Sequence, residues 1–295
     1  MDAIKTDDII QQLLREKCEA LEGKLSGEVI LIRAPMAPGV DDVVRREIEN
    51  VASKPGCRDQ LIVVLETNGG SIEVVERISD VFRHHFKSVV FVIPNVAYSA
   101  GTVLTLSGDS IYMDYYSVLG PIDPQIKNRD GRWVPGLGYL EKYNALVEKS
   151  RNNKITQAEL EFLIRKFDPA ELFALEQAKT HSSDLIERWL CQYKFKDWTH
   201  RETNGSEVDN AYKKARAKAI AELLGDATHW NSHGRGIPLR VLESEQIKLK
   251  INNFGNDPDL NKIIREYYDL FIDYCGKVGA EVAIHTKPRF LALGG

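Results

Sequence analysis

Residues 61–125 read LIVVLETNGGSIEVVERISDVFRHHFKSVVFVIPNVAYSAGTVLTLSGDSIYMDYYSVLGPIDPQ, and the rest of the chain is arranged around them. Three apolar runs, 61–65, 88–93 and 110–113, are rich in valine and isoleucine and carry no charge. That composition predicts parallel strands buried on both faces. Between the first two runs Ile72, Val75, Ile78 and Phe82 recur three or four apart, one face of a helix. The stretch therefore reads as a β-α-β-α-β unit.

Its two strand-to-helix loops carry the chemistry. In Thr67-Asn68-Gly69-Gly70-Ser71 adjacent glycines let successive amides point outward at the positive end of a helix, where an oxyanion can be held. In the second loop Ser99 is flanked two residues away by Ala97 and Gly101. Small neighbours suit a serine on a tight turn, with the Ala100 amide beside its oxygen as a second oxyanion donor. The competing reading is structural, since glycine pairs punctuate turns and serine is a routine helix N-cap. Two such loops at the carboxyl ends of adjacent parallel strands favour a site.

LETNGGS, AYSAGT and LGPIDPQ, in that order, resemble the Clp-protease/crotonase superfamily. Within it they are most similar to the signal peptide peptidase A-like serine peptidases, in particular the soluble serine dehydrogenase proteinase branch. The resemblance spans about residues 27–255. It implies an α/β, ClpP/crotonase-like fold: a mainly parallel sheet of repeated β-β-α and β-α units flanked by helices, with an added helical segment at 139–225 and a C-terminal helix. It also implies a serine peptidase working through an acyl-enzyme on Ser99, with the amides of Gly69, Gly70 and Ala100 as the oxyanion hole. A homo-oligomer that hides its active sites is expected.

The base that would take the Ser99 proton stays open among three candidates. Clp-type peptidases carry a histidine on the loop after the next strand, where this chain has Gly120-Pro121-Ile122-Asp123-Pro124. Asp123 is then an orienter of the base, a group that binds peptide backbone, or a cap of the turn before Pro124. Signal peptide peptidases use a lysine from the following helix, which points to Lys142, although Glu141, Glu148 and Lys149 surround it. The third candidate, His233 in the glycine-rich loop before the segment that closes the core, titrates near neutrality without a special environment. It is the preferred base, with His229 as the weaker neighbour, and Ser99, His233 and Asp123 would form a triad in a non-standard chain order. Two other functions remain: an acyl-thioester enzyme of the crotonase kind, and a non-catalytic module that binds peptide strands in the cleft.

The remaining sequence sets bounds. The 295 residues are 43% hydrophobic and 28% charged, with a net charge of −4, which gives no reason to expect nucleic acid as a partner. One basic run, Lys213–Lys218 in number 213–218, reads as the solvated side of a helix. Cys18, Cys57, Cys191 and Cys275 are too far apart to suggest a metal pair, and no cofactor or metal is expected. Unpaired thiols and the absence of a secretory signal or membrane span point to the cytoplasm. Residues 1–26 are expected to hold an amphipathic helix, 27–255 the peptidase core, and 256–295 the last helix and tail. Gly225 is expected to cap the helix over 211–224, residues 253–259 to be a linker, 281–286 to add an edge strand, and the LALGG terminus to be loose.

Overall fold

The computed structural model describes residues 5–127, 133–201, 203–230, 232 and 234–293. The elements run α1 (Thr6–Leu25), β1 (Glu28–Arg33), α2 (Val40–Ala52), β2 (Gln60–Glu66), α3 (Ile72–His85), β3 (Ser88–Val92), β4 (Val96–Ala97), α4 (Ala100–Thr105), β5 (Ser110–Met113) and β6 (Val118–Leu119). There follow β7 (Gln125–Lys127), β8 (Trp133–Pro135), α5 (Gly136–Arg151), α6 (Gln157–Lys166), α7 (Pro169–Trp189), a π-turn (Leu190–Lys194), α8 (Asn210–Leu224) and α9 (Ala227–Trp230). The chain closes with β9 (Ile237–Pro238), α10 (Leu239–Leu242), β10 (Asn252–Asn253), α11 (Pro258–Val278), β11 (Val282–Thr286) and β12 (Arg289–Leu293).

The main sheet has the order β10-β5-β3-β2-β1-β11-β12. Pairings from β10 through β1 are parallel, and β11 and β12 are antiparallel additions. Because side chains alternate across a strand, each central strand feeds two cores. Ile30, Ile32, Leu61, Val63, Val89 and Phe91 face the core covered by α2, α3, α4, α7 and α8. Val29, Leu31, Ile62, Val64 and Val92 face the core under α1 and α11. Burial on both sides is why the runs carry no charge, and the mainly parallel, helix-flanked sheet expected from the sequence is what forms.

Helix starts follow local chemistry. The Ser71 hydroxyl accepts from Val74 N–H at the head of α3, and Asp168 and Asp257 cap α7 and α11, each followed by proline in the first turn. A three-stranded sheet, β4-β6-β9, crosses the carboxyl ends of the main strands and frames the two loops of interest.

Several expectations need correction. Residues 253–259 are not a linker: Asn252 and Asn253 pair with β5, and Phe254 is buried beneath α11. The strand at 282–286 is internal rather than at the edge, because 289–293 of the supposedly loose terminus folds back on it as β12. Residues 125–127 and 133–135 pair as an antiparallel ribbon, β7 with β8. Gly225 does cap α8, but in the right-handed conformation, so positive φ is not what the glycine supplies. The 213–218 run is not uniformly solvated, because Lys213 is buried with its ammonium donating to Lys196 O at 2.8 Å, and Arg216 donates to Ile247 O.

Candidate functional site

The Gly69-Gly70 turn is pinned by a neighbouring loop. Met36 N–H donates to Gly69 O at 2.9 Å, and Ser71 N–H donates to Met36 O at 2.7 Å. Gly70 has φ 149°, and a Cβ there would overlap the Met36 carbonyl. Gly69 has φ 95°, and its missing Cβ would lie 2.8 Å from Ser99 Cβ and 3.3 Å from Ala100 N. Glycine is therefore required at both positions, and the turn presses directly on the serine.

Ser99 stands at the head of α4 with φ 52° and ψ −118°, a conformation L-residues avoid. Its side chain makes no capping hydrogen bond to the helix. The N-cap explanation for this serine therefore fails. Thr102 N–H and Val103 N–H instead bond to its carbonyl, at 2.8 and 3.2 Å. Tyr98 N–H donates to Thr67 O at 3.0 Å, which ties the serine turn to the end of β2.

The three amides suggested by sequence are not equivalent. Gly69 N–H donates to the buried Thr67 hydroxyl at 3.0 Å and is already committed. Among the described residues, no group accepts from Gly70 N–H or Ala100 N–H. Two amides beside the serine are thus open, rather than three.

The loop bearing Asp123 runs behind the serine. A Cβ on Gly120 would lie 2.5 Å from the Tyr98 ring and 3.2 Å from Ser99 N, so the backbones touch. Gly120 N–H donates to Thr102 Oγ1 at 2.9 Å, and that hydroxyl bonds Ala97 O at 2.8 Å. Thr102 is thus a buried strut joining the serine helix to the Asp123 loop. Ile122 N–H donates to Leu224 O at 3.0 Å, docking the loop on the end of α8, and Asp123 is 1% exposed.

A cavity of about 550 Å³ opens beside this loop, between α5, α7 and α8, with Ile122, Pro124, Leu140, Glu141, Asn144 and Lys179 among its lining. Lys142 does not line it and is exposed on α5. His233 lies outside the described residues; His229 is on α9, its ring edge-on to Trp230.

Sequence reasoning passed over Thr67, Thr102 and one long-range pair. His181 on α7 bonds Glu76 on α3 at 2.9 Å, and Arg188 bonds the other oxygen at 2.7 Å. Arg188, and then His181, hold the Glu76 carboxyl below its usual range. This clamp fixes α7 across the α3 helix that begins at the glycine turn. No local pattern announces it, because the partners are 105 residues apart. Among the described residues, no group of histidine, cysteine and acidic side chains could hold a metal ion. No helix among them is long and apolar enough to cross a membrane.

A mainly parallel sheet with a serine turn, open amides and a buried aspartate loop at the carboxyl ends of its strands defines a protein of the ClpP/crotonase-like fold. Residues 44–144 match the family of ClpP-like SDH-type serine proteinases, the branch that LETNGGS, AYSAGT and LGPIDPQ resemble. An uncharacterized protein of Methanocaldococcus jannaschii is 23% identical over 226 residues, 77% of this chain and 61% of that protein. A second uncharacterized protein of that organism is 34% identical over 64 residues, 22% of each. The chain thus spans less than two thirds of the length of either relative. Among solved structures, a mutant of the 1510-N membrane-bound stomatin-specific protease aligns with 13% identity and a TM-score of 0.43, covering 74% of this chain and 75% of that one. The ClpP protease catalytic domain from Plasmodium falciparum aligns with 14% identity and a TM-score of 0.31, covering 62% of this chain and 90% of that one.

Proposed function

We propose that this chain is a serine peptidase in which Ser99 attacks a peptide carbonyl and the amides of Gly70 and Ala100 receive the oxyanion. The observation that carries this reading is the Ser99 backbone: positive φ at the head of a helix the side chain does not cap, beside two open amides. A capping serine keeps an extended backbone and bonds the second or third amide of its helix. A strained residue that makes no such bond is held for another purpose.

In the acylation step the Ser99 Oγ–H proton passes to the base as the Oγ–C bond forms, and the carbonyl electron pair moves onto oxygen. Gly70 N–H and Ala100 N–H donate to that oxyanion, which is where preorganised dipoles lower the barrier most. Collapse expels the amine, which takes the proton from the base. Water, deprotonated by the same base, then cleaves the ester and frees Ser99.

His233 is the proposed base, with Asp123, from the loop that touches the serine backbone, as its orienter. Lys142 is the alternative. It is exposed on the single chain, so it would need a partner subunit to supply the apolar surroundings in which lysine becomes a base. A peptide or protein substrate, a homo-oligomer and a reducing compartment fit this reading, the last because all four cysteines are free.

Covalent labelling by a fluorophosphonate, read by mass spectrometry, tests the proposal. Labelling at Ser99 that is lost in Ser99→Ala, and strongly slowed in His233→Ala but not in Lys142→Ala, is the expected result. Absence of labelling together with saturable peptide binding would instead support the non-catalytic module. Tight binding of coenzyme A would support the acyl-thioester reading.

A further inference from the structure

Thr67 follows β2 directly and touches both loops of the candidate site. Its N–H donates to Val96 O at 3.1 Å and its carbonyl accepts from Tyr98 N–H at 3.0 Å, which pairs its backbone with the serine loop. Its methyl group packs on α4 at Gly101, where an added Cβ would come within 2.2 Å of it. Its hydroxyl reaches the glycine turn and accepts from Gly69 N–H at 3.0 Å. Thr67 is 3% exposed, so solvent is a poor substitute for that acceptor.

Two successive peptide planes of the turn are fixed in this way. The Thr67 hydroxyl holds the plane that carries Gly69 N–H. Met36 N–H, donating to Gly69 O at 2.9 Å, holds the next one. In a trans peptide the N–H lies opposite the C=O, so Gly70 N–H is aimed away from Met36. Gly69 is buried and Gly70 exposed, which makes the second amide the one a ligand can meet. A buried N–H without an acceptor is unfavourable, so loss of the hydroxyl would drive the turn to rotate until Gly69 N–H found another partner. Gly70 N–H would move with it, because glycine offers little steric resistance to such a rotation.

We propose that Thr67 is a positioning residue that selects the oxyanion donors: by holding Gly69 N–H, it leaves Gly70 N–H set beside Ala100 N–H. The proposal rests on the peptidase reading above and deepens it. Donors stabilise a developing oxyanion most when they need not reorient during the reaction. Here the two donors sit on separate loops, and Thr67 is the residue that joins those loops. Its two side-chain groups do separable work. The hydroxyl sets the glycine turn, while the methyl group packs the serine helix.

The test compares Thr67→Val, which keeps the methyl group, with Thr67→Ser, which keeps the hydroxyl, in the full chain. Fluorophosphonate inactivation gives kinact and KI, thermal unfolding gives Tm, and NMR on glycine-labelled protein gives the exchange rate of the Gly69 amide. In Thr67→Val, kinact should fall at least about tenfold with KI unchanged, part of the roughly 10²–10³ that one oxyanion donor is worth. The Gly69 amide should lose its protection in the same variant. Thr67→Ser should keep both the parent kinact and the protection, although its missing methyl group lowers Tm. A purely structural role predicts instead that kinact follows Tm in both variants, and that result overturns the proposal. Parental kinact in Thr67→Val, or a Gly69 amide as fast in the parent as in that variant, overturns it as well. If Thr67→Val does not fold, Thr67→Ser decides, because loss of kinact or of protection there refutes the role of the hydroxyl. A parent that never labels sinks the peptidase reading, and amide exchange then settles by itself whether Thr67 holds Gly69.

Discussion

Replacing Ser99 with glycine should make the protein more stable while removing its chemistry. The parent holds this residue at φ 52°, ψ −118°, outside the regions open to side chains. Such strain costs about 1–3 kcal/mol. Glycine adopts the conformation freely but loses roughly 0.5–1 kcal/mol through its greater freedom in the unfolded chain. The hydroxyl makes no capping bond, so its loss adds little. Net stabilisation of about 1 kcal/mol, and at most about 2.5 kcal/mol, follows from these two terms. Ser99→Ala keeps the Cβ and hence the strain, so it should stay within about 0.5 kcal/mol of the parent. The informative quantity is the difference between the two variants. By thermal unfolding it amounts to a few degrees, given roughly 2–4 °C per kcal/mol for chains of 150–250 residues. Both variants should fail to label with fluorophosphonate. If Ser99→Gly is no more stable than Ser99→Ala, the serine backbone is not a strain reservoir, and the argument from its geometry to its function fails.

Three further outcomes are expected. Gly70→Ala places a methyl group against the Met36 carbonyl at φ 149°, so it should destabilise by about 2–4 kcal/mol and suppress labelling of Ser99, as urea unfolding and probe kinetics would reveal. Thr102→Val removes the hydroxyl that accepts from Gly120 N–H and bonds Ala97 O, which should cost about 1–3 kcal/mol and slow labelling; retention of both parental values would refute the strut. His285 is buried against Tyr267, and burial, then Arg15, pushes its imidazole down to about 3 from an ordinary value near 6.5. Because the folded state resists the proton that the unfolded state accepts, this group's stabilisation is complete above pH 6.5 and declines as pH falls toward 3, with a slope of at most about 1.4 kcal/mol per pH unit. In His285→Gln the stability profile between pH 6.5 and 3 should be shallower by about one proton, and an unchanged slope would refute the assignment.

The turns of the candidate site were legible in the sequence because they are local. A glycine pair that needs positive φ, and a serine directly before a helix, are read from consecutive residues 67–71 and 95–102. The fate of each amide was not legible. Gly69 N–H turns back to Thr67, which leaves Gly70 and Ala100, and only the path of the backbone decides this. Lys142 shares a helix with Leu140 and Asn144, which line the cavity, yet lies off that lining, a matter of helix rotation against α7 and α8. The basic run over 213–218 was misread for a related reason: Lys213 and Arg216 find carbonyl partners in segments 17 and 31 residues away.

By itself the sequence determined the sheet. Uncharged runs of valine and isoleucine cannot be left facing water, and residues that alternate between two faces require helices on both. It also determined where the turns fall, because glycine and serine set the backbone within a few residues. Tertiary structure alone decided which strand takes the edge, how Thr102 joins the serine helix to the Asp123 loop, and how Arg83 and Lys196 meet on Asp109. Those features depend on groups distant in the chain meeting at fixed angles, and no local pattern of residues encodes an angle between elements.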